Sequence, residues 1–437
     1  MDATLRAVRA GLRRVPAPSL TVETGAGAVP APTPALDLAA DAWRNLLPGR
    51  HLFGVLLLVV AIGWRFAPSL LNPGPYGDEL PHASAIRLAA EGRSPYVGHI
   101  FVYPPSTLRI GAALQRLSPG LPFLPMRCLI VCGLVALVWS SAAWLPGSYG
   151  RRLGLALLFV LLAPGVRQGI EFGNITFAAG GLLVAALLAW PRAPVLSGLA
   201  LGASLLLKPL APAGFMALAA YRGPTEKSPT HRLRRNWVAA GVAAVVAAAA
   251  LLPDPQLAAF LRQGPAVWSI DRTVSLFRLL HLAQAERFAP LALVALLALV
   301  AVVVRRFVHD RLALLAVSVA ACVVSTPVVW NHTLVLTLPL QSMALTVAWA
   351  RYRAAGRGVR TEEPTIRPLW ELVAVALALA ALTFGEGATA IDDQAVGLQV
   401  LGTLPQALAP ILLTIYVLHF RNTPQPLRDS SQRADRR

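Results

Sequence analysis

The sequence predicts an all-α polytopic membrane protein, and three observations carry that reading. Apolar residues make up 56% of the 437 residues and charged residues only 14%, against roughly 45–50% and about 25% in soluble domains. Long uncharged runs recur at 153–165, 237–252, 291–304 and 312–324, and the mean hydropathy is +0.60. Basic residues gather in the tails and in short loops between apolar runs, including Arg232, Arg234 and Arg235 in one loop and Arg351, Arg353 and Arg357 in another. A net charge of +18 in a soluble protein would point to nucleic acid. Distributed in this way it is a positive-inside signal, which places both termini in the cytoplasm and leaves nucleic acid no role.

The elements follow in order. Residues 1–48 are rich in Ala and Pro, with PAPSL and VPAPTPAL and no sustained period, and read as a disordered cytoplasmic tail. No apolar segment follows the early arginines closely enough for a cleaved signal peptide. A transmembrane domain then covers 49–421, with spans expected near 51–71, 126–145, 152–166, 174–190, 194–207, 209–221, 237–252, 290–304, 312–325, 333–350, 369–385 and 398–419. About twelve spans result, within a range of ten to thirteen, at ~20 residues per crossing. Residues 422–437 form a basic cytoplasmic tail. Counted from inside, the external segments are 72–125, 167–173, 253–289, 325–332 and 386–397.

The first external loop, 72–125, is too long to be a mere connector. Its segment 79–91 places Leu80, Ala83, Ile86 and Leu88 among His82, Ser84 and Arg87, the pattern of an interfacial amphipathic helix. A second such helix is expected over 106–117, with Arg109 and Arg116 on its polar side. In the loop 253–289, Trp268, Phe277 and Phe288 suit headgroup-level anchoring. The three cysteines, Cys128, Cys132 and Cys322, lie in apolar spans and are expected to be small buried hydrophobes.

Few residues are able to carry chemistry. The first loop opens with GDELPHASAIRLAAEGRSPY and continues to FVYPPS. Acids at the lip of a bilayer are expensive unless used, and Asp78 is the leading candidate. A carboxylate of tuned pKa can take the proton of an attacking hydroxyl; an ordinary helix N-cap is the competing reading. Glu79 reads more as a first-turn acid than as a catalyst. Tyr103-Pro104-Pro105 is a stiff turn that opens the next helix. In RQGIEFGNITF, Arg167 and Asn174 flank the outer end of a span, where an arginine holds either a phosphate or merely the interface. Lys208, in LLLKPLAP, must snorkel, pair or serve a site. His332 follows Trp330 in STPVVWNHTLVL. His82, His99 and His281 show no metal-ligand spacing with it, so no metal site is expected. Walker, GxSxG, HExxH and CxxC motifs are missing from the sequence.

In order, these elements resemble glycosyltransferase family 87 of the GT-C superfamily. The family pattern is an aspartate opening the first external loop, then G-x-x-P-Y and Y-P-P, matched here by Asp78, Gly92 to Tyr96 and Tyr103 to Pro105. A G-Q/N-x-x element is matched by Gly173 to Thr176, and a K-x-x-P element by Lys208 to Pro212. A final S-P-x-x-W-x-H-H is matched loosely by Ser325 to His332, with an extra Thr326 and with Thr333 in place of the second histidine. Glu79 stands where the family carries an aromatic or aliphatic residue.

The resemblance implies a GT-C-type fold and an inverting, metal-independent transfer of a sugar, mannose above all, from a polyprenyl-phosphate donor to a lipid or glycan acceptor. Membrane lipids would surround the chain, no cofactor would be required, and the site would lie on the external face of the cell membrane. Asp78 would be the general base. Lys208, Arg167 and His332 would hold the donor phosphate, with Asn174, Tyr103, Trp330 and Glu79 completing the substrate-binding set. Two other classes compete: a secondary transporter, since twelve spans with both termini inside also suit that class, and a non-catalytic lipid-binding subunit.

Overall fold

The long apolar runs fold as helices, and among the described residues there is no strand. The computed structural model describes residues 48–422 apart from 76, 98–100, 143–144, 146, 191–192, 209–211, 223–228, 268–274, 309–310, 327–328, 330, 357–365 and 385–395. At some further positions, Asn331 and His332 among them, it describes the backbone alone. The expected tails lie outside the described residues except at Pro48 and Asn422, which are helical. So do Trp268 and residues 225–228 of the basic loop, while 229–235 are helical.

The helices run α1 Pro48–Leu70, α2 Glu79–Ala90, α3 Pro105–Leu117, α4 Leu124–Ala142, α5 Tyr149–Leu162, α6 Pro164–Glu171, α7 Thr176–Ala189, α8 Pro194–Leu207 and α9 Pro212–Ala220. They continue as α10 Pro229–Leu251, α11 Leu257–Val267, α12 Leu276–Leu282, α13 Ala289–Phe307, α14 Arg311–Val324, α15 Asn331–Leu334, α16 Leu338–Gly356, α17 Ile366–Phe384 and α18 Val396–Asn422. Proline sets several starts. Pro105, Pro164 and Pro194 stand at the first turns of α3, α6 and α8, where the missing N–H costs nothing. Ser148 and Ser275 cap α5 and α12 by accepting from the backbone N–H of Arg151 and Arg278, as short hydroxyl side chains do.

Among the described residues, four helical stretches are long and apolar enough to cross a membrane: Leu52–Leu70, Leu124–Ala142, Ala289–Phe307 and Thr403–Phe420. The pair α5–α6, bent by 58° at Ala163-Pro164, makes a fifth if taken as one span. That is fewer than the twelve expected. Several of the apolar runs fold as helices of only 14 residues, such as α7 and α8. At 1.5 Å per residue these reach roughly 21 Å, short of a ~30 Å hydrocarbon core. The break after α8 falls at Lys208, as LLLKPLAP suggested, and the run at 333–350 begins as a short helix and a 3₁₀ turn before α16.

The core is built on α4, α7, α14 and α16, with α7 packed between α4 and α8. Gly133 of α4 and Gly181 of α7 let two backbones meet. A Cβ on Gly133 would run into the Phe177 carbonyl, and one on Gly181 into Gly133 itself. Small residues serve this purpose where apolar helices associate. By contrast α13 buries only Ala289 and Val304 and turns Leu291, Val294, Leu299 and Val302 outward, the surface that lipid would wet. Two expectations about side chains are corrected. Cys128 and Cys132 are on the exposed side of α4 and only Cys322 is buried, because the inward face of α4 is taken by Ile130, Leu134 and Leu137. Phe277 is 1% exposed, a core residue rather than a headgroup anchor.

The Gly133 contact gives a direct test. Gly133→Leu forces a side chain into a closed backbone contact and is expected to cost at least about 1–3 kcal/mol. It should lower the thermal midpoint in detergent, whereas Gly154→Leu, where an added Cβ meets nothing within 4 Å, should leave it nearly unchanged.

Candidate active site

Two turns pack backbone to backbone and set the site. Gly77 precedes α2 at φ +52°, and a Cβ there would lie 2.6 Å from Phe172 Cα. Gly173 follows α6 at φ +64°, and a Cβ there would strike the Glu79 side chain. Both positions therefore need glycine for conformation and for space. The contact is sealed by the Asp78 N–H, which donates to the Phe172 carbonyl at 2.7 Å.

Beneath the turn lies a buried ion pair. Arg127, in the first turn of α4, donates from Nε to Glu79 Oε1 at 2.8 Å and from Nη2 to Oε2 at 2.6 Å. Its side chain is 1% exposed and that of Glu79 3%. The same guanidinium donates to the carbonyls of Gly74 at 2.9 Å, Leu70 at 3.2 Å and Asn72. One arginine thus holds the C-terminus of α1, the connecting loop and the first residue of α2, a task that requires its five-donor planar fork.

With Glu79 turned down onto Arg127, Asp78 faces a chain of polar groups. Asn174 Nδ2 donates to Asp78 Oδ2. Asn174 Oδ1 accepts from the Thr176 N–H at 2.9 Å and from the Thr176 hydroxyl. That hydroxyl in turn accepts from Lys208 Nζ. Lys208 caps α8 and is 5% exposed. The two residues before it are pinned from α3: Ser106 Oγ donates to the Leu206 carbonyl at 2.7 Å, and Thr107 Oγ1 reaches those of Leu206 at 3.0 Å and Leu207 at 2.8 Å. Tyr103 closes the site from above. Its ring centre is 5.7 Å from Lys208 Nζ and 4.5 Å from the His82 ring, its hydroxyl accepts from Asn174 at 3.5 Å, and its carbonyl accepts from the Tyr96 hydroxyl at 2.9 Å.

Burial dominates the electrostatics of these loop residues. It pushes the Asp78 carboxyl above the ordinary value of 3.8, against the Asn174 hydrogen bond and the Lys208 charge, which both act downward. Burial, and then the neighbouring Asp78 charge, hold the Tyr103 phenol well above 10, offset in part by Asn174. A carboxylate so desolvated is a stronger base than one in water.

The structure brings together Asp78, Asn174, Tyr103 and Lys208 of the residues proposed from sequence. Glu79 is adjacent in sequence but its carboxylate is committed to Arg127, so it supports the site's frame. Arg167 lies 63% exposed on α6 in an i,i+4 pair with Glu171 at 2.9 Å, outside the hydrogen-bonded chain that runs from Asp78 to Lys208. The backbone of His332 lies in α15, which packs on α6; its side chain and all of Trp330 are outside the described residues. Among the described residues no three His, Cys, Asp or Glu side chains gather as a metal site.

Three contributors were missed: Arg127, Thr176 and His82. Arg127 carried a signal, as a lone arginine one position inside an expected span. Thr176 was only part of a motif, and nothing in its spacing singled out its hydroxyl.

Removing one partner of a buried ion pair strands the other. Arg127→Met is therefore expected to cost about 3–5 kcal/mol and to lower the melting temperature in detergent sharply. Arg127→Lys should rescue little, because an ammonium cannot span Glu79 and three carbonyls. A wild-type melt for Arg127→Met would show that the pair does not hold the loop.

No curated protein matches the chain. The sequence model of glycosyltransferase family 87 matches residues 101–330, just over half of the chain. The matched stretch contains Tyr103, Arg127, Asn174, Thr176 and Lys208, while Asp78 and Glu79 precede it. A multi-helix apolar chain, with a desolvated carboxylate wired to a buried lysine inside and beside that stretch, belongs to glycosyltransferase family 87 and is a membrane glycosyltransferase.

Proposed function

We propose that the chain transfers a sugar from a polyprenyl-phosphate donor to a hydroxyl of a lipid or glycan acceptor, with inversion, on the external face of the cell membrane. Mannose is the sugar that the family resemblance favours. The observation that carries the mechanism is the placement of Asp78 and Lys208 at opposite ends of one chain of neutral hydrogen-bonding groups, Asn174 and Thr176.

In this reading the acceptor oxygen attacks the anomeric carbon as Asp78 takes its proton, using the carboxylate oxygen that Asn174 does not hold. The bond from the anomeric carbon to the phosphate oxygen breaks, and polyprenyl phosphate leaves with the electron pair. Negative charge grows on that oxygen, where a fixed cation in a partly dry site is worth far more than in water. Lys208 supplies it, oriented by Thr176. Arg167 and His332 approach the same phosphate only if α6 and α15, which pack on each other, present them to the donor.

The topology read from charge, about twelve crossings with both termini inside, accompanies this proposal. Its support in the structure is the contact between loops assigned to one face. Arg109 of α3 pairs with Asp254 at 3.0 Å, and Tyr96 packs on Phe260 at 5.7 Å.

Asp78→Asn is expected to lower kcat by about 10²–10⁴ with donor binding kept. The sign of its stability effect follows from linkage. The carboxyl binds its proton more tightly in the folded than in the unfolded chain, so its contribution is full below 3.8 and is lost as pH rises through the raised folded value. Asp78→Asn should therefore melt higher than wild type near neutral pH. The acid limb of kcat/KM in wild type should lie above that of an ordinary aspartate. Full turnover by Asp78→Asn would remove it as the base.

Lys208→Met should fold at least as well as wild type, since a buried ammonium is replaced by an apolar chain of similar length, yet slow transfer sharply. Wild-type turnover by purified Lys208→Met on a polyprenyl-phosphate sugar would leave Lys208 no role at the phosphate.

A further inference from the structure

The broken end of α8 is held by a distant part of the chain. Lys208 is extended, at φ −153° and ψ 137°, as a residue before proline prefers, and the helix stops there. A helix end leaves its last carbonyls without intrahelical donors. The Lys208 N–H serves the Ser204 carbonyl at 3.0 Å, and Pro209 has no N–H with which to continue the ladder. The carbonyls of Leu206 and Leu207 are taken instead by the hydroxyls of Ser106 and Thr107, 100 residues away in sequence. Both side chains are buried, Thr107 completely, so solvent is no substitute donor.

Ser106 and Thr107 directly follow Tyr103-Pro104-Pro105. The ring of Tyr103 stands 5.7 Å from Lys208 Nζ. The start of α3 therefore grips this lysine twice, through the backbone before it and beside its ammonium. Two prolines with fixed φ separate the grips, and the Thr107 N–H donates back to the Pro104 carbonyl at 2.9 Å. On the other side Ser204 Oγ donates to the Ala179 carbonyl at 2.8 Å, which fixes α8 against α7, the helix that carries Thr176.

We infer that Ser106 and Thr107 are positioning residues for the transfer, which set where the Lys208 ammonium stands by holding the broken end of α8. The inference rests on the transfer reaction proposed above. A cation that must reorganise as the phosphate charge grows stabilises it less than one already in place, and a long side chain is in place only if its own backbone is. Thr107 carries the larger share, because it reaches the carbonyl of Leu207, the residue joined to the lysine.

The test uses the purified full chain in detergent. Lys208 and Lys227 are the two lysines of the chain, so protein grown with lysine isotope-labelled at Cε gives two methylene signals by nuclear magnetic resonance. Lys208→Met removes one and so assigns it. Thr107→Val keeps the side chain's shape and deletes its hydroxyl. It should move the Lys208 signal, which feels the ring current of Tyr103, and leave that of Lys227. It should also lower kcat about tenfold, the scale of one hydrogen bond, at unchanged acceptor KM. Thr107→Ser should restore both readings.

In a Lys208→Met background Thr107→Val should cost no further kcat, because residues that act as one unit are not additive. Ser106→Ala leaves Thr107 on the Leu206 carbonyl and should give a smaller change of the same kinds. An unmoved Lys208 signal in Thr107→Val, or in Ser106→Ala where the former does not fold, would overturn the positioning. So would a tenfold loss that persists on top of Lys208→Met. A wild-type chain that transfers no sugar, with a Lys208 signal that moves as expected in the variants, would sink the proposed reaction and leave the placement of the lysine standing.

Discussion

The site depends on the ion pair between Arg127 and Glu79. Taking both charges out of water is costly, and such a pair persists only when its geometry is excellent and its remaining donors are used. Here they are: two bonds go to the carboxylate and three to carbonyls at the end of α1 and in the loop after it. The pair fixes where α2 begins and which way its first residue points. Since Glu79 is turned onto Arg127, its neighbour Asp78 is turned toward Asn174. Glycine at 77 and 173 is the steric counterpart of this arrangement, allowing the loop and the end of α6 to meet closely enough for the Asp78 amide to reach the Phe172 carbonyl.

Asp78 and Lys208 are both removed from water, yet they are joined through an amide and a hydroxyl rather than as an ion pair. A direct contact would satisfy both charges and leave neither for a substrate. The intervening Asn174 and Thr176 orient the two ends while keeping each short of neutralisation, and burial holds the carboxyl above its ordinary pKa despite the Asn174 hydrogen bond and the nearby cation. This is a local sacrifice of stability of the kind concentrated at functional sites. In the neighbouring Arg127–Glu79 pair, by contrast, the charges meet directly and are spent on holding the loop.

Much of the fold was legible in the sequence. Uncharged runs gave helices, Pro and Ser marked several of their starts, and Lys208-Pro209 marked a break. Crossings were not legible from hydropathy alone. Runs of similar composition end as 14-residue helices or bend by 58° at a proline, and what covers their ends depends on neighbours that no local window includes. Burial on a single helix was equally hard to read. The period of α2 put Leu80 and His82 on opposite sides of the expected choice, and the structure buries the histidine and exposes the leucine, because the inward face of α2 meets the polar turn at 172–174 and the ring of Tyr103.

By itself the sequence determined that the chain is an apolar helical protein with few charges to spare, so each charge inside the apolar stretch had to have a use. That constraint pointed to Asp78 and Lys208 and, through an ordered set of short motifs, to Asn174 and Tyr103. The sequence already favoured Asp78 over the adjacent Glu79; only the tertiary structure shows that the Glu79 carboxylate is committed to a partner. That partner, Arg127, is 48 residues from Glu79 in sequence, and the relay partner Asn174 is 96 from Asp78. Neither separation leaves a periodic or compositional trace. The use of a buried carboxylate is set by which donor reaches it first in space, and only the packing of α4 and α6 against the start of α2 specifies that.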